Sequence, residues 1–381
     1  MKRALRAVLD YIKKADMLLL VLCTVSTLFG TVLIYSATRS TTEGYMPYVA
    51  VQLGALVLGI VLFVFFSIID IEIIADRWKI LVVFNILFIC TLFVFGVEGE
   101  TGNRAWLRFF GIGVQPGEIV KVTFIIVVAK QMHILREYKD INSFFSILQL
   151  VSHFALTFLL LLIASRDLGS ALVYAFIFIV MLYTGGIKLR WFALGGVILT
   201  ILSPVFWRYV LSAGQKQRIM APFDASIDPE HMGVKWQTYR STIAIASGKM
   251  TGQGLGQGTQ TQANTIPAQE TDFIFSVAGE ELGFIGCVAV VLLLTGIIVR
   301  CIYVGIKARN QLSAQVCLGI AAMLLIQTLE NIGMCLGLTP VIGLTLPFFS
   351  AGGSSIITVF VCMGVVCGVK MRTVSLWKRS I

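Results

Sequence analysis

Residues 17–36 read MLLLVLCTVSTLFGTVLIYS, twenty positions without a charge. A helix of that length crosses about 30 Å of hydrocarbon. A basic segment precedes it: Lys2, Arg3, Arg6, Lys13 and Lys14. The run is too long for the apolar core of a signal peptide and has no clear small-x-small cleavage site, so it reads as a first membrane span. Nine further apolar blocks follow, near 46–68, 80–97, 118–135, 144–164, 169–185, 191–211, 273–299, 315–337 and 353–369. The chain has 381 residues, 57% hydrophobic and 13% charged, where soluble domains carry roughly 25% charge. The expected fold class is an all-α polytopic membrane protein of about ten transmembrane helices, one transmembrane domain over 1–381. A long loop, about 212–272, joins helices 7 and 8.

Charge gives the orientation. With the N-terminus inside, the cytoplasmic segments hold Lys2, Arg3, Arg6, Lys13, Lys14, Arg77, Lys79, Lys130, Arg136, Lys139, Lys188, Arg190, Arg300, Lys307, Arg309, Lys370, Arg372, Lys378 and Arg379. The short outer loops hold Arg39, Arg104, Arg108 and Arg166. This asymmetry predicts both termini in the cytoplasm and the long loop outside. The formal net charge of +10 is therefore a topology signal, and no nucleic-acid partner is expected. All eight cysteines fall in or beside apolar blocks, which implies no disulfide framework. His133, His153 and His231 are far apart and form no metal-ligand pattern.

Ionisable side chains inside spans are costly and face a partner or a cavity. Glu118 and Lys121 stand three apart on one helical face. They read as an ion pair or as the lining of a polar cavity where an anionic headgroup enters. Asp167, ahead of Gly169 and Ser170, fits a helix N-cap. Adjacent Glu280 and Glu281 point about 100° apart, so at least one is expected to face a hydrated interior. Gln327, Glu330 and Asn331 form another polar cluster. The long loop and the end of the block before it carry Trp207, Phe223, Trp236, Tyr239 and Ile243–Ile245, which predicts packing on the membrane face. Its glycine-dense stretch 248–258 (GKMTGQGLGQG) matches neither G-x-x-x-x-G-K-[ST] nor G-x-G-x-x-G. It reads equally as an amide cradle for an anion or as a flexible turn.

In order along the chain stand Gly102-Asn-Arg-Ala-Trp106-Leu, Gln115-Pro-Gly-Glu118 with Lys121, Asp167-Leu-Gly-Ser-Ala171 and Gln217-Arg218-Ile219. Gln237, Ser241 and Ala244-Ile-Ala-Ser-Gly248 follow, then Pro267-Ala-Gln-Glu-Thr-Asp272-Phe-Ile-Phe-Ser and Gly279-Glu-Glu281-Leu-Gly283. Asn331-Ile-Gly-Met, Gly337-Leu-Thr-Pro340, Leu346-Pro-Phe348 and Gly352-Gly-Ser354-Ser complete the set. With these motifs the chain resembles the SEDS family (shape, elongation, division and sporulation proteins; RodA/FtsW/SpoVE-like) over nearly its whole length, with a slight lean to the elongation type. It departs at Ser165, Arg166, Glu270, Thr345 and Ala351, where the family usually has Gln, Pro, His, Pro and Tyr. Those positions leave the fine substrate contacts open.

The resemblance implies a glycosyltransferase that polymerises lipid II into peptidoglycan strands and releases undecaprenyl pyrophosphate, beside a class B penicillin-binding protein that crosslinks the product. It implies residence in the bacterial cytoplasmic membrane, with the active site on the extracytoplasmic face. Such chemistry needs a base for the acceptor hydroxyl and cations or amides for the leaving pyrophosphate. Asp272 lies where the long loop meets the eighth span. It is the expected general base, with a helix N-cap, shared with Thr271, as the competing reading. Arg104, Lys121, Arg218, Arg240 and Lys249 are leaving-group candidates, and Lys121 and Arg218 match family positions. Trp106 suits a sugar face or an interfacial anchor. With these, the expected substrate-binding set is Trp106, Glu118, Lys121, Arg218, Gln237, Ser241, Lys249, Glu281 and Ser354. No dedicated ligand set is visible for a cofactor, and a divalent cation is compatible with the pyrophosphate chemistry. Two other functions fit the intramembrane charges and loops: a lipid II flippase and a non-catalytic scaffold for the penicillin-binding protein.

Overall fold

The computed structural model describes residues 9–41, 44–97, 103–109, 112–209, 211–224 and 226–377. Lys2, Arg3, Arg6, Gly102, Lys378 and Arg379 lie outside these. Each of the ten apolar blocks lies largely within one helix. Lipid offers no hydrogen bonds, so a spanning segment must pair its backbone groups internally. The bundle helices are α1 (Met17–Thr38), α2 (Met46–Ile68), α4 (Trp78–Phe95), α5 (Pro116–Tyr138), α6 (Phe144–Ser165), α7 (Leu168–Thr184), α8 (Leu189–Tyr209), α12 (Ile274–Ile306), α13 (Gln311–Cys335) and α14 (Gly353–Trp377). Short α3 (Ile71–Asp76) precedes α4, and α9 (Ala213–Met220), α10 (Trp236–Ser247) and α11 (Thr259–Gln262) lie in the long loop. Eight of the ten are long and apolar enough to cross a membrane. The other two are α5, which carries Glu118 and Lys121, and α7, an apolar helix of 17 residues. Both pack inside the bundle against α13.

Local side-chain caps start several of the helices, at Asp167 as expected. Asp16, Ser143, Asp167 and Asn310 accept hydrogen bonds from first-turn amides of α1, α6, α7 and α13, which satisfies orphan donors at each N-terminus. Ser212 and Gln215 form a reciprocal capping box on α9.

Helices α13 and α14 form the centre. α14 packs along α2, and α13 lies between α12 and α7. Gly364 of α14 lies against the backbone of Phe63 in α2, where a Cβ would collide with Phe63 main-chain atoms. Small residues at such contacts let helices approach closely when no hydrophobic gradient drives association. By contrast, α8 has no buried residue.

One end of the bundle is basic and clamped by ion pairs. Asp16 is fully buried between Arg300 (2.7 Å) and Lys370 (3.2 Å). Arg372 meets Asp70, and Lys130 meets Asp76. The opposite end gathers the loops after α1, α4, α6, α8 and α13. There the all-helical expectation needs one correction. Leu107–Phe109 (β1) and Ile112–Val114 (β2) pair as an antiparallel hairpin, with Arg108 opposite Gly113. The segment is too short to show strand periodicity in sequence. The long loop packs on the bundle as expected: α10 lies on α12 and buries Ser241 and Ala244.

Candidate functional site

Asp272 lies two residues before the first residue of α12. The N-cap of that helix is Phe273, with no side-chain capping bond, so the competing reading of Asp272 as a cap is not realised. Its main chain is held on several sides. Its N–H donates to Ala268 O (3.0 Å), and its carbonyl accepts from Asn331 Nδ2 (2.8 Å) and Cys335 Sγ (3.7 Å). The loop before α14 braces the same segment: Ser350 Oγ donates to Thr271 O, and Ala351 N–H donates to Glu270 O. Backbone at Gly343 faces the carboxylate, and a Cβ there would lie 3.5 Å from Asp272 Oδ2. Burial, then the charges of Asp167 and Glu270, push the Asp272 carboxyl up to about 6, against a lowering hydrogen bond from Thr271. A carboxylate poised there is ionised at neutral pH yet basic enough to take a proton.

Asp167 caps α7 as expected. Its Oδ1 accepts from Ser170 N–H (3.2 Å), and its Oδ2 accepts from Ser170 Oγ (2.5 Å) and Gln115 Nε2 (3.4 Å). Lys121 and Glu118 form the expected ion pair, Nζ to Oε1 at 2.6 Å, both buried. Burial pushes the Asp167 carboxyl above the usual carboxylate range, against lowering hydrogen bonds from Ser170 and the charge of Lys121.

Two hollows share Arg218 and Val341, and the loop that faces Asp272 through Gly343 lines both. The larger, about 650 Å³, has an apolar wall (Leu162, Ile163, Phe206) facing Asp167 and Arg218. The smaller, about 290 Å³, lies among Arg218, His231, Lys235 and Tyr239. His231 stacks on Tyr239 with ring centroids 4.6 Å apart. Ile342 lines the larger hollow, and Gly343 next to it faces Asp272. Arg218 is half-buried and makes no hydrogen bond or ion pair among the described residues.

The larger cleft is lined by Asp167 and Arg218; Asp272 faces Gly343, next to the lining residue Ile342, and the Lys121–Glu118 pair lies buried outside the lining. Trp106 is partly exposed beside the hairpin, bridged to Val97. Gln237 lies half-buried in the first turn of α10. Ser354 sits at the start of α14, its Oγ buried without a partner. Ser241 is an internal stitch, bonded to Ser276 Oγ and Cys335 O. Lys249 is exposed in the glycine loop, away from the cleft lining.

Glu280 and Glu281 correct an expectation, because both are buried and both are paired within the protein. The amide cradle is likewise not free: Gln253 and Gly254 N–H donate to the carbonyls of Glu280 and Glu281. Asn331 was legible as part of a polar cluster and of a motif, with no contact assigned to it. Its amide joins Asp272 O to Leu344 O (2.7 Å), a role that depends on two loops distant in sequence. Among the described residues no three His, Cys, Asp or Glu side chains converge as a metal-ligand set.

The fold and cleft define a multi-pass membrane protein with a carboxylate-bearing amphipathic site at one end of its bundle. The chain belongs to the FtsW/RodA/SpoVE family, described as cell cycle proteins, whose model matches residues 16–375. It is 32% identical to the probable peptidoglycan glycosyltransferase FtsW of Geobacter metallireducens, over 96% of each chain. It is 29% identical to the peptidoglycan glycosyltransferase MrdB of Escherichia coli K12, over 84% of each. A solved structure described as "Structural coordination of polymerization and crosslinking by a peptidoglycan synthase complex" superposes with TM-score 0.80 at 27% identity, covering 94% of this chain and 98% of that one. The rod shape determining protein RodA of Thermus thermophilus superposes with TM-score 0.67 at 25% identity, covering 93% and 96%.

Proposed function

We propose that this protein is a peptidoglycan glycosyltransferase that polymerises lipid II on the extracytoplasmic face of the bacterial membrane. Asp272 acts as its base. The observation that carries the reading is a carboxylate engaged in no helix cap, raised to about 6, beside a cleft with an apolar wall and an unpaired guanidinium. A lipid-linked saccharide needs that combination: its tail stays against apolar surface while its pyrophosphate meets a cation.

Asp272 takes the proton of the acceptor hydroxyl as that oxygen bonds to the donor's anomeric carbon. The bond from that carbon to the pyrophosphate oxygen breaks in the same displacement, and undecaprenyl pyrophosphate leaves. One base suffices for a single inverting displacement, unlike the paired carboxylates of hydrolases. Arg218, which lines both hollows, would meet the leaving group's charge. A class B penicillin-binding protein is the proposed partner, supported by the synthase complex to which the fold is similar.

The test is glycan synthesis from lipid II by the purified protein with that partner in detergent. Polymer formed by the native protein and lost in Asp272→Asn, at normal membrane levels, supports the enzyme. A flippase makes no polymer in detergent, which has no two compartments. A scaffold retains synthesis when Asp272 is changed.

A further inference from the structure

Helix α12 is two pieces. Gly283 has φ 67° and ψ −162°, a conformation open essentially to glycine. It separates residues 274–282 from residues 284–306. The amides and carbonyls stranded by the break find partners in the glycine loop. Phe284 and Ile285 N–H donate to Lys249 O (2.8 Å) and Met250 O (3.3 Å). In the other direction, Gln253 and Gly254 N–H donate to Glu280 O and Glu281 O, each at 3.0 Å. A Cβ on Gly248 or Gly252 would strike the backbone of residues 279–282, so the segments interlock main chain to main chain. The direction of the 274–282 piece is therefore set by the loop as well as by the rest of α12. Asp272 sits just before the other end of that piece.

Two carboxylates fasten the loop. Glu280 accepts from Gln260 N–H (2.7 Å), Thr261 N–H (2.9 Å), Thr261 Oγ1 (2.6 Å) and Thr259 Oγ1 (3.2 Å), capping α11 from outside. Glu281 accepts from Ser36 Oγ (2.5 Å) at the end of α1 and from Gln262 Nε2 (3.1 Å). Ser36 Oγ in turn accepts from Gly256 N–H (3.0 Å). Burying a carboxylate is costly unless donors meet its charge, and here internal donors meet both.

We infer that Glu280 and Glu281 are positioning residues, clamping the half-helix 274–282 to the glycine loop and to the end of α1 and so fixing where Asp272 sits. The inference rests on the reading of Asp272 as the base.

Glu280→Gln tests it, because an amide NH₂ would point at least one donor at the Gln260 and Thr261 amides. Ser36→Ala is the milder variant, removing one hydroxyl at the far side of the clamp. Both are assayed as the full chain with its penicillin-binding partner on lipid II. Glu280→Gln is expected to lower kcat at least tenfold with KM within threefold, and Ser36→Ala to lower kcat two- to fivefold. The geometric readout is the rate at which a small hydrophilic thiol reagent labels an Asp272→Cys protein. Each clamp variant should change that rate at least threefold. An unchanged labelling rate in a variant that accumulates and elutes normally overturns the inference, whatever Asp272 does. A raised KM with unaltered kcat also overturns it, since that marks a binding contact. Changed labelling alongside an active Asp272→Asn protein overturns the base reading and the catalytic role of the clamp with it. If Glu280→Gln fails to accumulate, Ser36→Ala carries both readouts.

Discussion

The side-chain amide of Asn331 donates to the main-chain carbonyl of Asp272 at 2.8 Å and to that of Leu344 at 2.7 Å. One residue of α13 thus joins the segment bearing the acid to the loop that faces it. Asn331→Ala leaves two carbonyls without this donor. A buried acceptor left unpaired costs about 1–3 kcal/mol, so the variant should melt lower and polymerise at least tenfold more slowly. Asn331→Asp should be worse, since it sets a carboxylate against two carbonyls. Thermal melts of the detergent-purified protein and glycan synthesis from lipid II check both.

The raised Asp272 carboxyl sets a pH dependence. The base form exists above about 6, so kcat/KM should climb with pH through that value and level off beyond it. Asp167 contributes to the rise through its charge. Asp167→Asn keeps a good helix cap and removes that charge, so it should move the midpoint to lower pH. A pH–rate profile of both proteins decides it.

The same shift has a consequence for stability. The folded state holds the Asp272 proton more tightly than the unfolded chain, so the contribution is full below the unfolded pKa near 4 and is lost as pH rises through about 6. At pH 7.5 the ionised group therefore destabilises the fold. Asp272→Asn should be inactive yet more stable, by about 1–3 kcal/mol. An inactive variant with an unchanged or lower melting temperature would contradict this.

Arg218 has no hydrogen-bond or ion-pair partner among the described residues, so Arg218→Ala should leave stability within about 0.5 kcal/mol. It should still cut kcat/KM at least tenfold. Arg218→Lys should restore only part of the loss, because an ammonium cannot present a planar fork to phosphate oxygens. Steady-state kinetics beside thermal melts separate the two effects.

The Glu118–Lys121 pair predicts a non-additive result. Removing one partner leaves an uncompensated buried charge, which costs about 3–5 kcal/mol. Glu118→Gln and Lys121→Met should each lower membrane levels. The double variant should recover levels without recovering synthesis. A double-mutant cycle on melting temperature and activity measures the coupling.

Ten apolar blocks were legible as helices because hydrocarbon leaves a backbone no other partner than itself. The cap at Asp167 was readable for a similar reason, being a bond across three residues. The position of Asp272 followed from counting spans. Whether its carboxylate was free did not, because that turned on whether α12 is capped by Asp272 or begins from Phe273 without a side-chain cap. Glu281 shows the limit most clearly. Its motif placed it among the substrate contacts, whereas the fold joins it to Ser36, 245 residues away.

The amino-acid order alone determined the number of spans, their sidedness signal and the chemical types gathered at one end, since these depend on the length and charge of continuous segments. Only the tertiary structure decided which acids are tied up, Glu280 and Glu281 among them. Hydrogen bonds between Glu280 and α11, or between Asn331 and Asp272, exist only once distant segments are packed, and no local pattern encodes that meeting.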